Sequence, residues 1–434
     1  MVSDMKWNAR YHDRFKQHSL IDKVWAMNNL IQAWKHVRAN KGAAGIDKMS
    51  INMFESDTEK HLLTIQRELK EKRYQPKPVK RVYIPKMNGK QRPLGIPIVK
   101  DRVVQQALRQ VIEPIFEETF LPESYGYRPG RSAIDAVNAV RNHIYEQNYH
   151  AIADLDIKSF FDNVNHDILL DIMNEKVSDG RILRLVRQFL EAGVMEDGKV
   201  RDVSIGTPQG GVISPLLANI YLHHLDRRLH TKEITFVRYA DDIVILAERI
   251  KEVRKALNLA RKILEEDLKL RLNDEKTSVF RITTNKHSLE YLGYQIYLKK
   301  VQPGNASVQR LKDRVRFVTQ RQQGKSVEMI IKNLNPVIRG WGNYYKHTTI
   351  KKKYWDLDFW IQRRIRGYMT KRWWWTDIKR IPVEQILKKG LVTLESILNI
   401  PRPLQWRGSA EPQRPDVSRM GETCMYGSEG GRRA

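Results

Sequence analysis

The chain has 434 residues, with 77 lysines and arginines against 50 acidic residues and a formal net charge of +27. This length allows two or three domains with cores of their own, and the basic excess favours a polyanionic partner, nucleic acid above all. Apolar runs stay below the roughly 20 residues that span a bilayer, and the first residues do not resemble a secretory signal. A single cysteine, Cys424, excludes an internal disulfide, zinc fingers and a cysteine-rich endonuclease module. We therefore expect a cytoplasmic protein that handles nucleic acid and does not bind membranes.

The first 60 residues predict helices. Apolar residues recur at helical spacing from Leu20 to Val37, and Ser19 is a candidate N-cap for that helix. The glycine-rich break at residues 41–47 lacks the glycine spacing and the trailing Lys-Ser/Thr of a phosphate-binding P-loop. A second, charged helix is predicted from about residue 53 to residue 73.

A basic hairpin is predicted over residues 81–97, R-V-Y-I-P-K-M-N-G-K-Q-R-P-L-G-I-P, with its turn at Asn88-Gly89. Lys86 and Arg92 flank the turn and are placed to face one ligand. A lysine point charge and an arginine fork suit a triphosphate, but two solvated turn charges explain the pattern as well.

A turn-rich loop at residues 125–132, Y-G-Y-R-P-G-R-S, follows a predicted helix over residues 101–120. Arg128 and Arg131 in this loop are candidate contacts to a phosphate backbone. Charges are also common in turns that bind nothing.

Two acidic strands dominate the middle of the chain. The first, A-I-A-D-L-D-I-K-S-F-F-D at residues 151–162, places Asp154 and Asp156 on one face. The second, F-V-R-Y-A-D-D-I-V-I-L at residues 236–246, predicts a hairpin, because neighbouring strand side chains point to opposite faces and Asp241 and Asp242 can share a site only at a bend. Acids in apolar strands are costly to bury alone, and magnesium prefers carboxylate oxygens. A surface turn is the other explanation of the second strand.

Two shorter segments lie near these strands in the sequence. G-T-P-Q-G-G-V-I-S-P, residues 206–215, contains Gly210 and Gly211, which let the backbone approach a ligand closely. L-N-D-E-K-T, residues 272–277, brings Lys276 after the acidic hairpin. An ordinary turn before a helix explains the first segment equally well.

The composition changes after residue 300. Residues 301–400 hold 21 lysines and arginines against 7 acids, and six of the ten tryptophans fall between Trp341 and Trp375. Basic residues interleaved with aromatic residues suit phosphate contacts and base stacking, although some of these tryptophans could form an aromatic core instead. The segment from residue 399 is rich in Pro, Gly, Arg and Ser and predicts a disordered tail.

The order of these motifs resembles that of the reverse transcriptases, and specifically the bacterial group II intron reverse transcriptases, also called maturases. The resemblance covers about residues 20–390 and includes L-E-Y-L-G-Y and R-G-W-G-N-Y-Y as further motifs. It implies an α+β right-hand polymerase with fingers, a palm built on an antiparallel sheet, and a helical thumb. The implied domains are an N-terminal helical extension of the fingers at 1–60, fingers and palm at 61–300, a thumb or maturase-specific (X) domain at 301–398, and the tail at 399–434.

The resemblance also assigns roles to residues. It implies that Asp156, Asp241 and Asp242 are the catalytic carboxylates and that they bind two magnesium ions together with Ile157. It implies that Phe161 blocks a ribose 2′-OH, and it places four further residues at the incoming deoxynucleotide: Lys86, Arg92, Gln209 and Lys276. The residues that it assigns to nucleic acid are Arg128, Arg131, Gly210, Gly211, Arg339, Trp341, Tyr344, Tyr345, Arg363, Arg364, Lys371 and Arg372.

The implied activity is RNA-directed DNA synthesis from a primer, combined with binding of the intron RNA as a maturase in splicing and retrohoming. The expected partners are group II intron RNA, an RNA template with a DNA or RNA primer, dNTPs and target DNA. With one cysteine, the chain is closer to the relatives that lack an endonuclease domain. A non-catalytic splicing cofactor and a domesticated reverse transcriptase in defence or repair remain alternatives, and the oligomeric state stays open.

Overall fold

The structure is a computed structural model that describes residues 16–85, 91–196, 199–201, 206, 210–283, 287–371 and 380–398. The chain divides into two compact units. Unit 1 is Met1–Leu292 with Tyr297–Lys299, and unit 2 is Gly293–Ile296 with Lys300–Ala434. Predictions for Lys86, Gln209, Arg372 and the tail at 399–434 lie outside the described residues. Across the described ranges, no helix combines the length and apolarity that a membrane span requires.

Unit 1 mixes helices and strands, which confirms the predicted α+β class. Its helices are α1 (Ile21–Trp25), α2 (Met27–Asn40), α3 (Ile51–Glu55), α4 (Thr58–Lys70), α5 (Val99–Glu117), α6 (Ala133–Tyr145), α7 (His166–Asn174), α8 (Gly180–Glu191), α9 (Ser214–Thr231) and α10 (Ile250–Lys262). Its strands are β1 (Val79–Pro85), β2 (Gln91–Ile96), β3 (Ala151–Asp156), β4 (Val194–Glu196), β5 (Lys199–Arg201), β6 (Thr235–Tyr239), β7 (Asp242–Ala247), β8 (Ser278–Arg281) and β9 (Leu289–Tyr291).

The first helix begins in a way that the sequence did not indicate. Ser19 has a positive φ of 55° and does not cap α1. The carboxylate of Asp179 accepts hydrogen bonds from the backbone N–H groups of Leu20 and Ile21, at 2.7 and 2.9 Å. The predicted Ser19 cap is therefore wrong, because a distant acid satisfies the N–H groups that an N-cap would satisfy.

The predicted basic hairpin is present as β1 and β2, which pair antiparallel with Ile84 opposite Arg92. They belong to a four-stranded sheet in the order β2-β1-β4-β5. The proposed Asn88-Gly89 turn lies in the interval that the structure does not describe.

The central sheet of unit 1 has the order β6-β7-β3-β8, with every neighbouring pair antiparallel. Its strands are rich in β-branched and other apolar residues, and Ala151, Ile152 and Ala153 of β3 are fully buried. Helix α10 packs on β3 and β7, while α6 packs on β6. The sheet is therefore covered by helices, and its strand ends carry the acidic residues.

Unit 2 contains a short antiparallel pair and a set of helices. The elements are β10 (Tyr294–Ile296), β11 (Val301–Pro303), α11 (Asn305–Val318), α12 (Val327–Tyr344), α13 (Lys352–Thr370), α14 (Val383–Lys388) and α15 (Leu394–Leu398). Helix α12 begins at a Ser326 N-cap, whose hydroxyl accepts the N–H of Met329. Buried isoleucines and leucines of α12 and α13 form the helical core of this unit.

Candidate active site

The acidic hairpin turns at the point that the sequence indicated. Strand β6 ends at Tyr239 and β7 begins at Asp242, and these two residues face each other in the register. Between them, Ala240 has a positive φ of 57°. This left-handed residue reverses the chain at once, so that Asp241 lies in the turn and Asp242 opens the returning strand.

Asp156 lies at the same end of the sheet. It is the last residue of β3 and stands directly opposite Asp242 in the β3–β7 register. Directly opposed residues of antiparallel strands have Cβ atoms about 5 Å apart. The register thus brings together three carboxylates, those of Asp156, Asp241 and Asp242, although 85 positions separate Asp156 from Asp241 in the sequence.

The charges of these carboxylates are poorly compensated. Desolvation raises the pKa of Asp242 to about 6, and repulsion from Asp241 and Asp156 adds to it, although part of the Asp242 side chain reaches solvent. Desolvation also raises the pKa of Asp241, and Asp156 contributes in the same direction. Further back on β3, burial and the charge of Asp242 raise the pKa of Asp154 to about 7. The site therefore carries an excess of negative charge that favours binding of a cation.

Lys276 supplies part of the compensation. Its Nζ lies 3.0 and 3.1 Å from the two carboxylate oxygens of Asp156. Asn273 Nδ2 donates to Asp156 Oδ2 at 3.1 Å, and the backbone N–H of Asn273 donates to the Asp156 carbonyl at 2.8 Å. The loop that carries Lys276 is thus fixed to the end of β3.

The donor set suits magnesium in kind, because three carboxylates supply the hard oxygen ligands that this ion prefers. The Ile157 side chain is apolar and buried, so only its backbone carbonyl could act as a ligand. Within the described parts of the chain, no group of three or more His, Cys, Asp or Glu side chains is arranged to hold a metal ion as it stands. The ammonium of Lys276 lies where Asp156 would otherwise offer its oxygens.

Phe161 lies in a short 3-10 turn, Phe160–Asp162, that follows β3. The backbone of this turn touches Gly206, where an added Cβ would lie 2.8 Å from the Asp162 carbonyl oxygen. His166 fixes the same glycine, since its Nε2 lies 2.6 Å from the Gly206 carbonyl oxygen. The turn that presents the predicted 2′-OH-blocking residue is therefore supported from the 206–215 segment.

The other candidates for nucleotide contact are only partly described. Arg92 is exposed on β2. Desolvation raises the pKa of Asp241, and the charge of Arg92 opposes that rise, which places Arg92 within electrostatic reach of the acidic turn. Gly210 has a φ of +114°, and a Cβ there would lie 2.4 Å from the carbonyl oxygen of Gly95 in β2. Gly210 therefore lies directly against the basic hairpin, while the assignment of Gly211 stays a prediction.

The two arginines of the 125–132 loop differ in their surroundings. Arg128 is buried, and its guanidinium donates to Glu117 and to the carbonyl groups of Leu121 and Ser124. Arg131 is less buried, lies over the Tyr125 ring and donates to backbone carbonyls. A phosphate contact by Arg128 would have to replace an internal bond, whereas the assignment of Arg131 stays a prediction.

In unit 2, the aromatic residues of R-G-W-G-N-Y-Y pack on one another. Trp341 lies 4.8 Å from the Tyr345 ring, and Trp341 Nε1 donates to Ser307 at 3.1 Å. Tyr344 and Tyr345 both contact the Tyr294 ring. These residues pack on one another, but Trp341 and Tyr344 are only partly buried, so base stacking by them stays a prediction.

The basic residues assigned to nucleic acid in unit 2 vary in exposure. Arg339 is exposed on α12. Arg364 is half-buried, and its Nε donates to Thr319 Oγ1 at 3.0 Å, which ties α13 to the end of α11. Lys371 lies over the Tyr368 ring, and Arg363 lies on α13. Arg339 and Lys371 are therefore exposed, whereas Arg363 and Arg364 are partly buried.

Sequence reasoning missed a group of polar residues beneath the acidic turn. Arg238 and Asp226 form a fully buried ion pair, and Asn219 and Ser124 also bond to Arg238. The signal was an arginine in the middle of an apolar strand, because a buried charge needs a partner. The partners could not be identified, since they lie on α9 and in the 121–125 loop.

Two family comparisons match this architecture. The family described as reverse transcriptase (RNA-dependent DNA polymerase) matches residues 84–296. The family described as group II intron, maturase-specific domain matches residues 308–383. The first match contains the acidic turn, β3 and the basic strand β2, and the second lies within unit 2.

Several individual proteins are similar to this chain. Protein YkfC from Escherichia coli K12 is 34% identical over 318 residues, which cover 64% of this chain and 83% of YkfC. The group II intron-encoded protein LtrA from Lactococcus lactis is 31% identical over 338 residues, which cover 62% of this chain and 55% of LtrA. The aligned part is thus little more than half of LtrA. Among solved structures, telomerase from Candida albicans shows 15% identity and a TM-score of 0.43, covering 76% of this chain and 66% of the telomerase.

Proposed function

We propose that the chain extends a primer 3′-OH on an RNA template. It belongs to the reverse transcriptases that carry a group II intron maturase-specific domain, and so to the RNA-directed DNA polymerases with their right-hand fold. The substrates are dNTPs, and the primer is DNA or RNA. The observation that carries the proposal is the register that places Asp156 opposite Asp242, beside the turn that holds Asp241.

In the proposed mechanism, the carboxylates of Asp156, Asp241 and Asp242, with the carbonyl of Ile157, would hold two magnesium ions. Such ions supply the charge that activates the 3′-OH and stabilises the phosphoryl transition state. Lys276, at 3.0 Å from Asp156, is close enough to neutralise a departing pyrophosphate. Arg92 and Lys86 bind the triphosphate, while Gln209 contacts the incoming nucleotide. Phe161 closes the space that a ribose 2′-OH would need.

The maturase part of the proposal concerns unit 2. Its net positive charge suits binding of intron RNA. Unit 2 would bind this RNA in the cytoplasm to assist splicing, and it would act on target DNA in retrohoming. Each phosphate contact releases counterions, so we expect RNA affinity to fall steeply between low and moderate salt. Filter binding across a salt series measures the slope, and a flat series would contradict an electrostatic interface.

The polymerase proposal is tested by primer extension on matched RNA and DNA templates with magnesium. Asp241→Asn combined with Asp242→Asn should reduce extension by about 1000-fold or more, because several kcal/mol of transition-state stabilisation depend on the bound ions. Asp171→Asn, a change of an exposed acid on α7, is the matched control. Undiminished synthesis by the double variant would refute the assignment. A wild-type protein that binds RNA without extending a primer would favour a non-catalytic splicing cofactor.

A further inference from the structure

Arg238 is the largest fully buried side chain of the described residues, and it lies in β6 two residues before the turn. Its Nε and Nη2 donate to the two carboxylate oxygens of Asp226 on α9, at 2.8 and 2.6 Å. Neither side chain is more than 1% exposed. This forked pair satisfies both buried charges by itself.

The guanidinium also makes bonds that the ion pair does not need. Nη1 donates to the carbonyl oxygen of Ala240 at 3.0 Å and to Asn219 Oδ1 at 3.0 Å, while Nη2 donates to Ser124 Oγ at 2.7 Å. A guanidinium has five N–H donors, and all five are therefore used. One of them points at the residue that reverses the chain between the two strands.

Ala240 needs such support. Its φ of 57° lies in the left-handed region, which an alanine occupies only when its surroundings enforce it. On the other side of the turn, a Cβ added to Gly126 would lie 2.3 Å from the Ala240 backbone nitrogen. Asn219 joins the two sides, since its Nδ2 donates to the Gly126 carbonyl at 2.8 Å while its Oδ1 accepts from Arg238.

We propose that Arg238 is a positioning residue that fixes the Ala240 turn and thereby sets the relative placement of the Asp241 and Asp242 carboxylates. The inference rests on the proposed polymerase function for its kinetic consequence, but the order of the turn is a property of the protein alone. Asp226 holds the arginine in place, and Asn219 links it to the loop on the other side. All three side chains are buried and thus inaccessible to a substrate.

A purely structural ion pair and a positioning residue make different predictions. If the pair only stabilises the fold, any replacement that preserves the fold leaves the turn unchanged. If Arg238 fixes the turn, a folded protein without its bond to Ala240 should have a more mobile turn and a weaker response to magnesium. The readout must therefore separate folding from the order of residues 236–246.

The main test replaces both charges together, as Arg238→Met with Asp226→Leu, because apolar replacement of a complete buried pair often preserves the fold. Hydrogen–deuterium exchange followed by mass spectrometry reports on residues 236–246 in metal-free buffer. We expect exchange there to quicken about tenfold or more while the helices of unit 1 keep their protection. In primer extension, kcat should fall by about 100-fold, since small misplacements of catalytic groups have effects of that size, and half-saturation should need more magnesium.

Two further variants keep the inference open to refutation. Arg238→Lys retains the buried charge but cannot reach all partners of the fork, so it should show the same changes to a smaller degree even if the double variant does not fold. Arg109→Met with Glu113→Leu removes a partly buried arginine–carboxylate pair of α5 and should leave exchange at the turn unchanged.

Wild-type exchange and wild-type kcat in a folded Arg238 variant would overturn the positioning role. Absence of extension by the wild-type protein would instead remove the proposed function, while the exchange measurement would still decide whether Arg238 orders the turn.

Discussion

Asp226 and the pair Asp241 and Asp242 lie close together in the sequence of unit 1 but differ in how their negative charge is compensated. Asp226 is fully buried and paired with both arms of the Arg238 fork. Asp241 and Asp242 face each other's charge and that of Asp156, and desolvation raises the pKa of both. Among the described residues, no lysine, arginine or histidine lies within ion-pairing distance of either carboxylate. Compensated charge here accompanies a structural role, and uncompensated charge marks a place that attracts a cation.

Asp156 lies between these two cases. Lys276 and Asn273 bond to it, yet its side chain is 31% exposed and that of Lys276 is 65% exposed. An exposed ion pair contributes little to stability. Its partner can therefore leave at small cost, whereas Arg238 cannot leave Asp226 without exposing a buried charge to an apolar interior.

The strongest test of this difference is Asp226→Asn. It leaves the Arg238 charge buried without its counter-ion, so the free energy of unfolding should fall by about 3–5 kcal/mol. Urea denaturation followed by circular dichroism measures the change.

The control for this test is Asp167→Asn. Asp167 pairs with Arg187 at 2.6 Å, but the two side chains are 76% and 43% exposed. We expect a loss of no more than about 1 kcal/mol. Equal losses in the two variants would show that burial of the pair does not decide its role.

Asp101 is a third case, because its carboxylate accepts hydrogen bonds from neutral donors rather than from a cation. It is buried, accepts from the Tyr74 hydroxyl at 2.6 Å and from the Lys77 N–H at 2.9 Å, and desolvation raises its pKa to about 6. A pKa raised by folding favours the folded state when the group is protonated. The free energy of unfolding should therefore fall by roughly 2–3 kcal/mol as the pH rises from about 4 to about 7.

Asp101→Asn removes this titration and should flatten that part of the stability profile. Denaturation of both proteins at a series of pH values in metal-free buffer measures the difference. A profile of the variant that keeps the wild-type slope would assign the pH dependence to other groups.

The smallest expected effect concerns the contact between the loop and the turn. Gly126→Ala forces a Cβ to within 2.3 Å of the Ala240 nitrogen, and such overpacking should lower the free energy of unfolding by about 1–3 kcal/mol. Primer extension should fall with it, because the shift occurs at the acidic turn.

Gly180→Ala is the matched substitution, since nothing lies within 4 Å of a Cβ there. It should leave stability unchanged or slightly higher. Wild-type behaviour of the Gly126 variant would mean that the loop moves aside without disturbing the strands that carry the acidic residues.

Local patterns in the sequence predicted the parts of the fold that local chemistry decides. Alternating apolar residues indicated β3 and β7, and two adjacent acids indicated a bend at Asp241. The strand register was not available from the sequence, so the facing of Asp156 and Asp242 came from the family resemblance. The Asp179 cap on α1 could not be predicted, because it joins residues 158 and 159 positions apart.

The aromatic residues of unit 2 show a second limit of prediction from the sequence. The sequence indicated tryptophans and tyrosines suited to either stacking on bases or packing on one another. The packing of unit 2 decides between these. Tyr345, just after the end of α12, lies in the interior with 4% of its surface exposed, whereas Trp341 and Tyr344 on α12 are only partly buried. Residue type identified the motif, but the three-dimensional neighbours determine whether a side chain is accessible to RNA.

Lys276 has a consequence for how the enzyme rests between catalytic cycles. Its ammonium touches both oxygens of Asp156, so the carboxylate already holds a tethered competitor before any ion arrives. Replacing the ammonium with a singly charged ion leaves the charge at Asp156 unchanged, whereas a doubly charged ion adds a positive charge that the nearby Asp241 and Asp242 also attract. A cation that binds Asp156 must therefore first displace the Lys276 ammonium from both carboxylate oxygens.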